Sequence, residues 1–182
     1  VRIENSTIEA VSYGIYQQVS VVSTIDLIDS TIISSGLMGI YSPSKVSNNH
    51  KTINIDNTNI YAVTTGLQAS YCDINFNSGE IISSTTSGHY AVQVDAYSNF
   101  VMVDNTKIAT NGTAAPLFIS FNATATINGG EIYNGYTNSN IIYGIYNNGI
   151  VNMNDGVINI IAPKAYGIYM GQGTLNMTGG TI

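Results

Sequence analysis

Val151-Asn152-Met153-Asn154-Asp155-Gly156-Val157-Ile158 is one of eight copies of a single phrase, which begin at Val1, Ile25, Ile53, Ile74, Val101, Ala125, Val151 and Leu175. Laid on top of one another, the copies read down in columns. The first and third positions are apolar, as in Ile25/Leu27, Ile53/Ile55 and Val151/Met153, and the second is polar except at Met102. That alternation is the period-two signature of a strand with one buried face. The sixth position holds only Ser, Thr or Gly, and its predecessor is Asn, Asp, Ser or Gly. Such pairs make tight corners, by left-handed backbone or by side-chain bonds to the main chain. The eighth position is Ile in every copy, from Ile8 to Ile182, so the same apolar pocket is built once per copy.

The copies start 24, 28, 21, 27, 24, 26 and 24 residues apart. A repeat of that size is a solenoid unit that cannot bury its apolar face alone. Leucine-rich repeats would bring leucines and a helical return, and neither is written here. The clearest coil reads as three strands, Ile150–Asn154, Val157–Ile161 and Tyr166–Met170, with Asp155-Gly156, Ala162–Ala165 and Gly171–Gly173 as corners. Three parallel strands per turn make a parallel β-helix, expected right-handed as parallel crossovers are. Residues 1–182 read as a single unit of about seven coils, roughly 34 Å long, and as a segment of a longer repetitive chain with flanking coils. Charges offer a second test of register. Successive coils place Glu80, Lys107 and Glu131 in the seventh column, and Arg2 below Asp26 in the second.

Composition narrows the function. Charged residues are 9% of the chain and the net charge is −6, so five Lys plus Arg cannot form the basic face that nucleic acid requires. No apolar run reaches the length that membrane insertion needs. Cys72 stands alone and reads as a small buried residue rather than a nucleophile. The longest excursion, Ser42 to Thr52, carries Lys45, His50 and Lys51 and reads as a surface insertion. His50 and His89 occupy unlike places in different coils, which argues against a paired site. Glu4, Asp56 and Asp104 share the fourth column, two coils apart or roughly 9.6 Å. That spacing lies near the upper end of the inverting-glycosidase range of about 6.5–9.5 Å, yet no sheltered acid pair accompanies it. Glu4, Asp29 and Asp56 are the residues that a calcium corner would use, against the simpler reading of solvated turns. No catalytic residue, metal or cofactor is expected.

One column does point to binding. After the inward residues Ile15, Ile40, Leu67, Val92, Leu117, Ile145 and Ile168 come Tyr16, Tyr41, Gln68, Gln93, Phe118, Tyr146 and Tyr169. By alternation this column faces out. Exposed rings on a polar, weakly charged surface suit stacking against sugars, and Tyr16, Tyr41, Phe118, Tyr146 and Tyr169 are the candidate glycan-binding residues. The competing reading is that the rings only stack on each other, coil on coil.

The phrases Gly14-Ile15-Tyr16, Gly167-Ile168-Tyr169 and Leu175-Asn176-Met177-Thr178-Gly179-Gly180-Thr181-Ile182 resemble those of bacterial surface proteins with pectate-lyase-like β-helix repeats, such as autotransporter passengers and Gram-positive adhesins. The resemblance covers the whole chain. It implies export and display at the bacterial cell surface as a structural or adhesive rod, in contact with a polysaccharide or host-surface glycan. The alternative it implies is a fragment of a polysaccharide lyase or hydrolase. Such lyases use clustered acids with calcium and a basic proton acceptor. No matching cluster stands in this sequence, so no catalytic residue is carried over.

Overall fold

The computed structural model describes residues 1–18, 22–44, 50–84, 88–137 and 140–182. The chain winds as a parallel β-helix, crossing three faces in each turn. Face A holds β1 (Arg2–Glu4), β4 (Thr24–Ile28), β7 (Lys51–Asp56), β10 (Cys72–Phe76), β13 (Asn99–Met102), the first halves of β16 (Thr124–Asn134) and β18 (Ile150–Ile160), and β20 (Thr174–Met177). Face B holds β2 (Thr7–Ala10), β5 (Thr31–Ser34), β8 (Thr58–Ala62), β11 (Gly79–Ser83), β14 (Thr106–Thr110) and the second halves of β16 and β18. Face C is a separate seven-stranded sheet of β3 (Tyr13–Tyr16), β6 (Met38–Ser42), β9 (Leu67–Ala69), β12 (Val92–Val94), β15 (Leu117–Ile119), β17 (Ile142–Asn147) and β19 (Ala165–Met170). Among the described residues no helix forms, and the coils number about seven.

The columns of the sequence become the registers of the sheets. Ile25, Ile53 and Ile74 lie opposite one another on face A, and Lys107 lies between Glu80 and Glu131 on face B. One coil departs. Phe100, not Val101, lies opposite Ile74, and Met102 lies opposite Phe76. Phe100 and Met102 are buried while Val101 is half-buried. The polar exception at Met102 was therefore a slip of register: the apolar Phe100 and Met102 take the core, and one extra residue sits in the following corner. Thr106 shows the insertion locally, its hydroxyl donating to the Val103 carbonyl three residues back where Ser6, Ser30 and Thr58 donate to the carbonyl two back.

The corners between faces A and B come in two chemical kinds. Where Ser or Thr holds the sixth position, the Asn or Asp before it takes the left-handed backbone: Asn5, Asp29, Asn57 and Asn105 have φ of 48°, 48°, 42° and 64°. Their Ser and Thr neighbours tie the coils together, the Ser6 N–H donating to Ser30 Oγ and the Ser30 N–H to Thr58 Oγ1, each at 3.2 Å. Where Gly holds the sixth position it takes the left-handed role itself, as Gly156 does at φ 99°. In coils 6 and 7 that corner shifts the register between Ile127 and Glu131 but no longer ends the strand. The two expected strands Ile150–Asn154 and Val157–Ile161 accordingly run on as the single strand β18.

A single apolar cluster runs up the interior, from Ile25 to Ile158. The uniform Ile column finds its pocket in the Gly of Gly-Ile-Tyr. A β-carbon added at Gly39 would collide with Ile60 Cγ2 and lie 2.6 Å from the Gly66 carbonyl oxygen one coil on. At Gly144 it would strike Ile158 Cγ2 and the Gly167 carbonyl oxygen. Ile32, Ile60, Ile81, Ile158 and Ile182 thus fill the space that the missing side chain leaves on face C, while coils 4 and 5 carry Ala91 and Pro116 at that place.

The excursion needs correction at its end. Lys51 is no loop residue: it opens β7 and is fully buried. Its ammonium donates to the Gln17 carbonyl at 3.0 Å and the Pro43 carbonyl at 2.8 Å, closing the base of the excursion. Lys45 lies outside the described residues.

Candidate functional site

Face C places the predicted column in unbroken register. Tyr16 lies opposite Tyr41, Tyr41 opposite Gln68, Gln68 opposite Gln93, Gln93 opposite Phe118, Phe118 opposite Tyr146 and Tyr146 opposite Tyr169. The residues between them point inward: Ile40, Leu67, Val92, Leu117 and Ile145 are buried. All five candidate rings reach solvent, from the half-buried Tyr41, Phe118 and Tyr146 to Tyr16 at 51% and Tyr169 at 38% exposure.

The rings do not stand alone. A second column, three residues earlier, adds Tyr13, Tyr90, Tyr143 and Tyr166. Strict alternation would send Tyr143 and Tyr146 to opposite faces, but Gly144 and Ile145 are both buried, so the alternation slips once at the glycine. Tyr143 and Tyr146 then meet on the outside with ring centroids 5.8 Å apart. The tetrapeptide Tyr-Gly-Ile-Tyr at 13–16, 143–146 and 166–169 carries this signal in the sequence.

Together the two columns form two aromatic platforms. At one end, Tyr13 stacks on Tyr41 at 5.4 Å, and Tyr16 leans on both. Toward the other end, Tyr90 stacks on Phe118 at 4.5 Å, Phe118 meets Tyr146 at 5.6 Å, and Tyr169 meets Tyr143 and Tyr146 at 4.8 Å. Burial pushes the Tyr41 hydroxyl above its ordinary value, with Tyr13, Tyr16 and the charge of Asp95 adding to it; burial does the same to Tyr90. Both phenols therefore stay neutral donors well beyond neutral pH.

Between the platforms lies a polar gap. Gln68 and Gln93 occupy the aromatic column, and each donates its side-chain amide to one oxygen of Asp95 at 2.8 Å. Asp95 opens a tight turn whose Ser98 N–H returns to its carbonyl at 3.2 Å. Tyr97, in that turn, stacks on Tyr71 of the coil below at 4.8 Å. Both tyrosines hold left-handed backbone, with φ of 60° and 51°. Bulky residues rarely adopt that conformation, and the ring stack offsets part of its strain. Asp95 and these two tyrosines carried no signal in the repeat alignment, because they sit in the corner leading back to face A, where the copies differ most.

The acids singled out from the sequence are not brought together. Glu4 is clasped by the Arg2 guanidinium at 3.0 and 3.1 Å, Asp29 accepts from the Asn57 amide at 2.6 Å, and Asp56 accepts from the Ser78 hydroxyl at 3.0 Å. The extra residue in coil 5 moves Asp104 out of the fourth column. Among the described residues, no three His, Cys, Asp or Glu side chains converge as metal ligands would. Arg2 lies in register with Asp26 as expected but bonds to Glu4 instead, while Asp26 accepts from Asn54 at 2.7 Å. Lys107 bonds to Glu131 at 2.8 Å, and Glu80, its other register neighbour, accepts from the Tyr61 hydroxyl.

Inside the wall, Lys51 lies opposite Cys72 in the next coil, and both are fully buried. Burial lowers the Lys51 ammonium below its ordinary value and pushes the Cys72 thiol up to about 12. A thiol so held is protonated and a poor nucleophile. Lys51 escaped sequence reading because a Lys in a polar run reads as solvated; only the fold turns it inward. His50, beside it in sequence, faces out and meets Asp73 at 2.9 Å.

Compared with known proteins, the chain matches no family model, no curated protein and no solved structure.

Proposed function

We propose that this chain is a structural and adhesive rod of an exported bacterial cell-surface protein, and that face C is its glycan-contacting surface. The observation that carries the reading is the concentration of rings on one face. Ten aromatic contacts are present among the described residues, and nine of them join side chains of face C or, in the case of Tyr90, of the segment that leads into it. The outer columns of face A carry amides, acids and hydroxyls instead. Rings with neutral hydroxyls, on a surface nearly free of charge, offer a sugar both an apolar face and hydrogen-bond partners. Surface display follows from the resemblance of the repeats and is supported by a wall that needs no disulfide for its strength.

The test is retention on a panel of immobilised polysaccharides. Wild-type protein is compared with a Tyr16/Tyr41/Tyr146/Tyr169→Ala variant and with Tyr146→Ala alone, each checked for cooperative thermal unfolding. Selective retention by wild type, weakened in the single variant and abolished in the quadruple one, is the expected result. Folded variants retained as well as wild type, or no retention of wild type on any glycan, would leave the rings as coil-to-coil stacks and the segment a spacer.

A further inference from the structure

Resting on the glycan reading of face C, we propose that the ligand is a neutral, extended pyranose chain laid along the coil axis, and that the Asp95 carboxylate at mid-face decides which glycans are admitted. Three observations on the same face converge on it.

The first is periodicity. The column from Tyr16 to Tyr169 takes one step per coil, about 4.8 Å each. An extended β-linked pyranose chain advances by about one coil height per sugar. Sugar rings and protein rings therefore keep step over several coils when the chain runs lengthwise, and lose step when it crosses the face.

The second is the state of Asp95. A carboxylate offers about four acceptor positions. The Gln68 and Gln93 amides fill one on each oxygen and fix the group in place. Asp95 is half-buried, and its place beside Gln68 and Gln93 leaves the remaining positions for a ligand seated in the gap between the platforms. Two adjacent hydroxyls of one sugar match that pair of acceptors, while rings on either side stack the sugars before and after it.

The third is charge. The strands of face C contain no Lys, Arg or His, and the whole chain carries −6. A glycan bearing carboxylates would set one of them against Asp95 with no cation beside it on these strands. Like charges held at hydrogen-bond distance in a half-buried place repel strongly. Polyuronates are excluded by the residue that holds neutral chains.

Calorimetric titration with β-1,4-linked glucose oligomers of two to eight units, and with the matching glucuronate oligomers at low salt, tests the proposal. Wild type is expected to bind the neutral series with affinity rising to about six or seven units and then levelling, and to bind the uronate series at least about tenfold more weakly. Asp95→Asn keeps the shape and removes the charge. It is expected to weaken neutral binding by about tenfold and to bring uronate binding level with it. Gln68→Met keeps the charge but loosens its hold; it is expected to weaken neutral binding while uronates stay excluded. Uronate binding by wild type equal to neutral binding, or an unchanged preference in Asp95→Asn, overturns this inference while leaving the glycan reading intact. A wild type that binds no oligomer in either series overturns the glycan reading itself and this inference with it.

Discussion

Faces A and C are made by the same alternation and stacked at the same pitch, yet their outer columns do opposite things. On face A the second position forms two amide ladders, one toward each end, separated by Val101 and Thr126. Asn75 donates to Asn54 at 2.8 Å, Asn54 to Asp26 at 2.7 Å, and Asn176 to Asn152 at 2.8 Å. Within each ladder an amide satisfies its neighbour, so the ladders zip coils together and have few free groups to offer a ligand. On face C the equivalent column holds rings, whose stacking stabilises the coils while leaving faces, edges and hydroxyls open to solvent. Face A is closed on itself and face C is not. A repeat that serves stability alone can be satisfied on every face; a face left open is where binding is to be sought.

The largest expected effect comes from breaking the joint that lets both kinds of face share one core. Gly144→Val places a branched side chain where Ile158 Cγ2 and the Gly167 backbone already stand. Overpacking a core typically costs about 1–3 kcal/mol. With main chain among the obstructing atoms, we expect about 3 kcal/mol or more, read as a lowered midpoint in urea. Gly144→Ala is expected to be milder, since coil 4 carries Ala91 at the same place. A Gly144→Val protein as stable as wild type would mean that the Ile and Gly columns are not coupled.

Next in size is the corner that leads from face C back to face A. Lys51→Met preserves length and removes the charge, leaving the Gln17 and Pro43 carbonyls without their donor. Lost charged hydrogen bonds of about 1.5–3 kcal/mol each, offset by relief of a buried charge, give an expected net loss of about 1–3 kcal/mol. The pH dependence separates this from simple repacking. A lysine lowered by burial binds its proton less readily folded than unfolded, so it contributes stability that rises with pH toward its unfolded value of 10.5. Cys72, raised from 9.0 to about 12, holds its proton longer when folded, so stability falls as pH climbs through that range. In wild type the two oppose each other below pH 10.5. Lys51→Met should expose the alkaline fall, and adding Cys72→Ala should flatten it. Parallel stability profiles of wild type and Lys51→Met between pH 8 and 11 would show that the ammonium carries no such linkage.

How much of this was legible in the sequence depends on what each residue answers to. Positions set by alternation and by corner chemistry were readable, because their cause is local. The Ile column, the Ser/Thr/Gly corners and the Tyr16-to-Tyr169 column all fall where the repeat puts them. Features that depend on a neighbouring coil were not. Val101 and Phe100 are both apolar, so alternation alone could not choose between them; the stacked partners Ile74 and Ala125 choose Phe100. Tyr143 and Tyr146 share an outer face only because Gly144 admits Ile158. Lys51 is inside because the Gln17 carbonyl of an earlier coil and the Pro43 carbonyl across the excursion meet it there. Asp95 belongs to an irregular corner, and its importance lies in two glutamines, one of them supplied by the coil below. The candidate site was thus half visible: the rings were in the repeat, and the polar centre was in its interruption.

The smallest expected effect sharpens the contrast between the faces most directly. Asn54→Ala removes the middle rung of the first amide ladder and breaks two bonds, one to Asp26 and one from Asn75. A net hydrogen bond contributes about 0.5–1.5 kcal/mol, and both freed partners are only partly buried and can turn to water. We expect a loss of about 1 kcal/mol in urea unfolding and no change in glycan retention. Tyr146→Ala removes ring contacts worth about 0.5–1.5 kcal/mol each, and so destabilises by a similar or somewhat larger amount while also reducing retention. The discriminating quantity is therefore the ratio of retention lost to stability lost. It should be near zero for the amide on face A and large for the ring on face C. Equal ratios would mean that retention merely follows stability, and that the open face binds no better than the closed one.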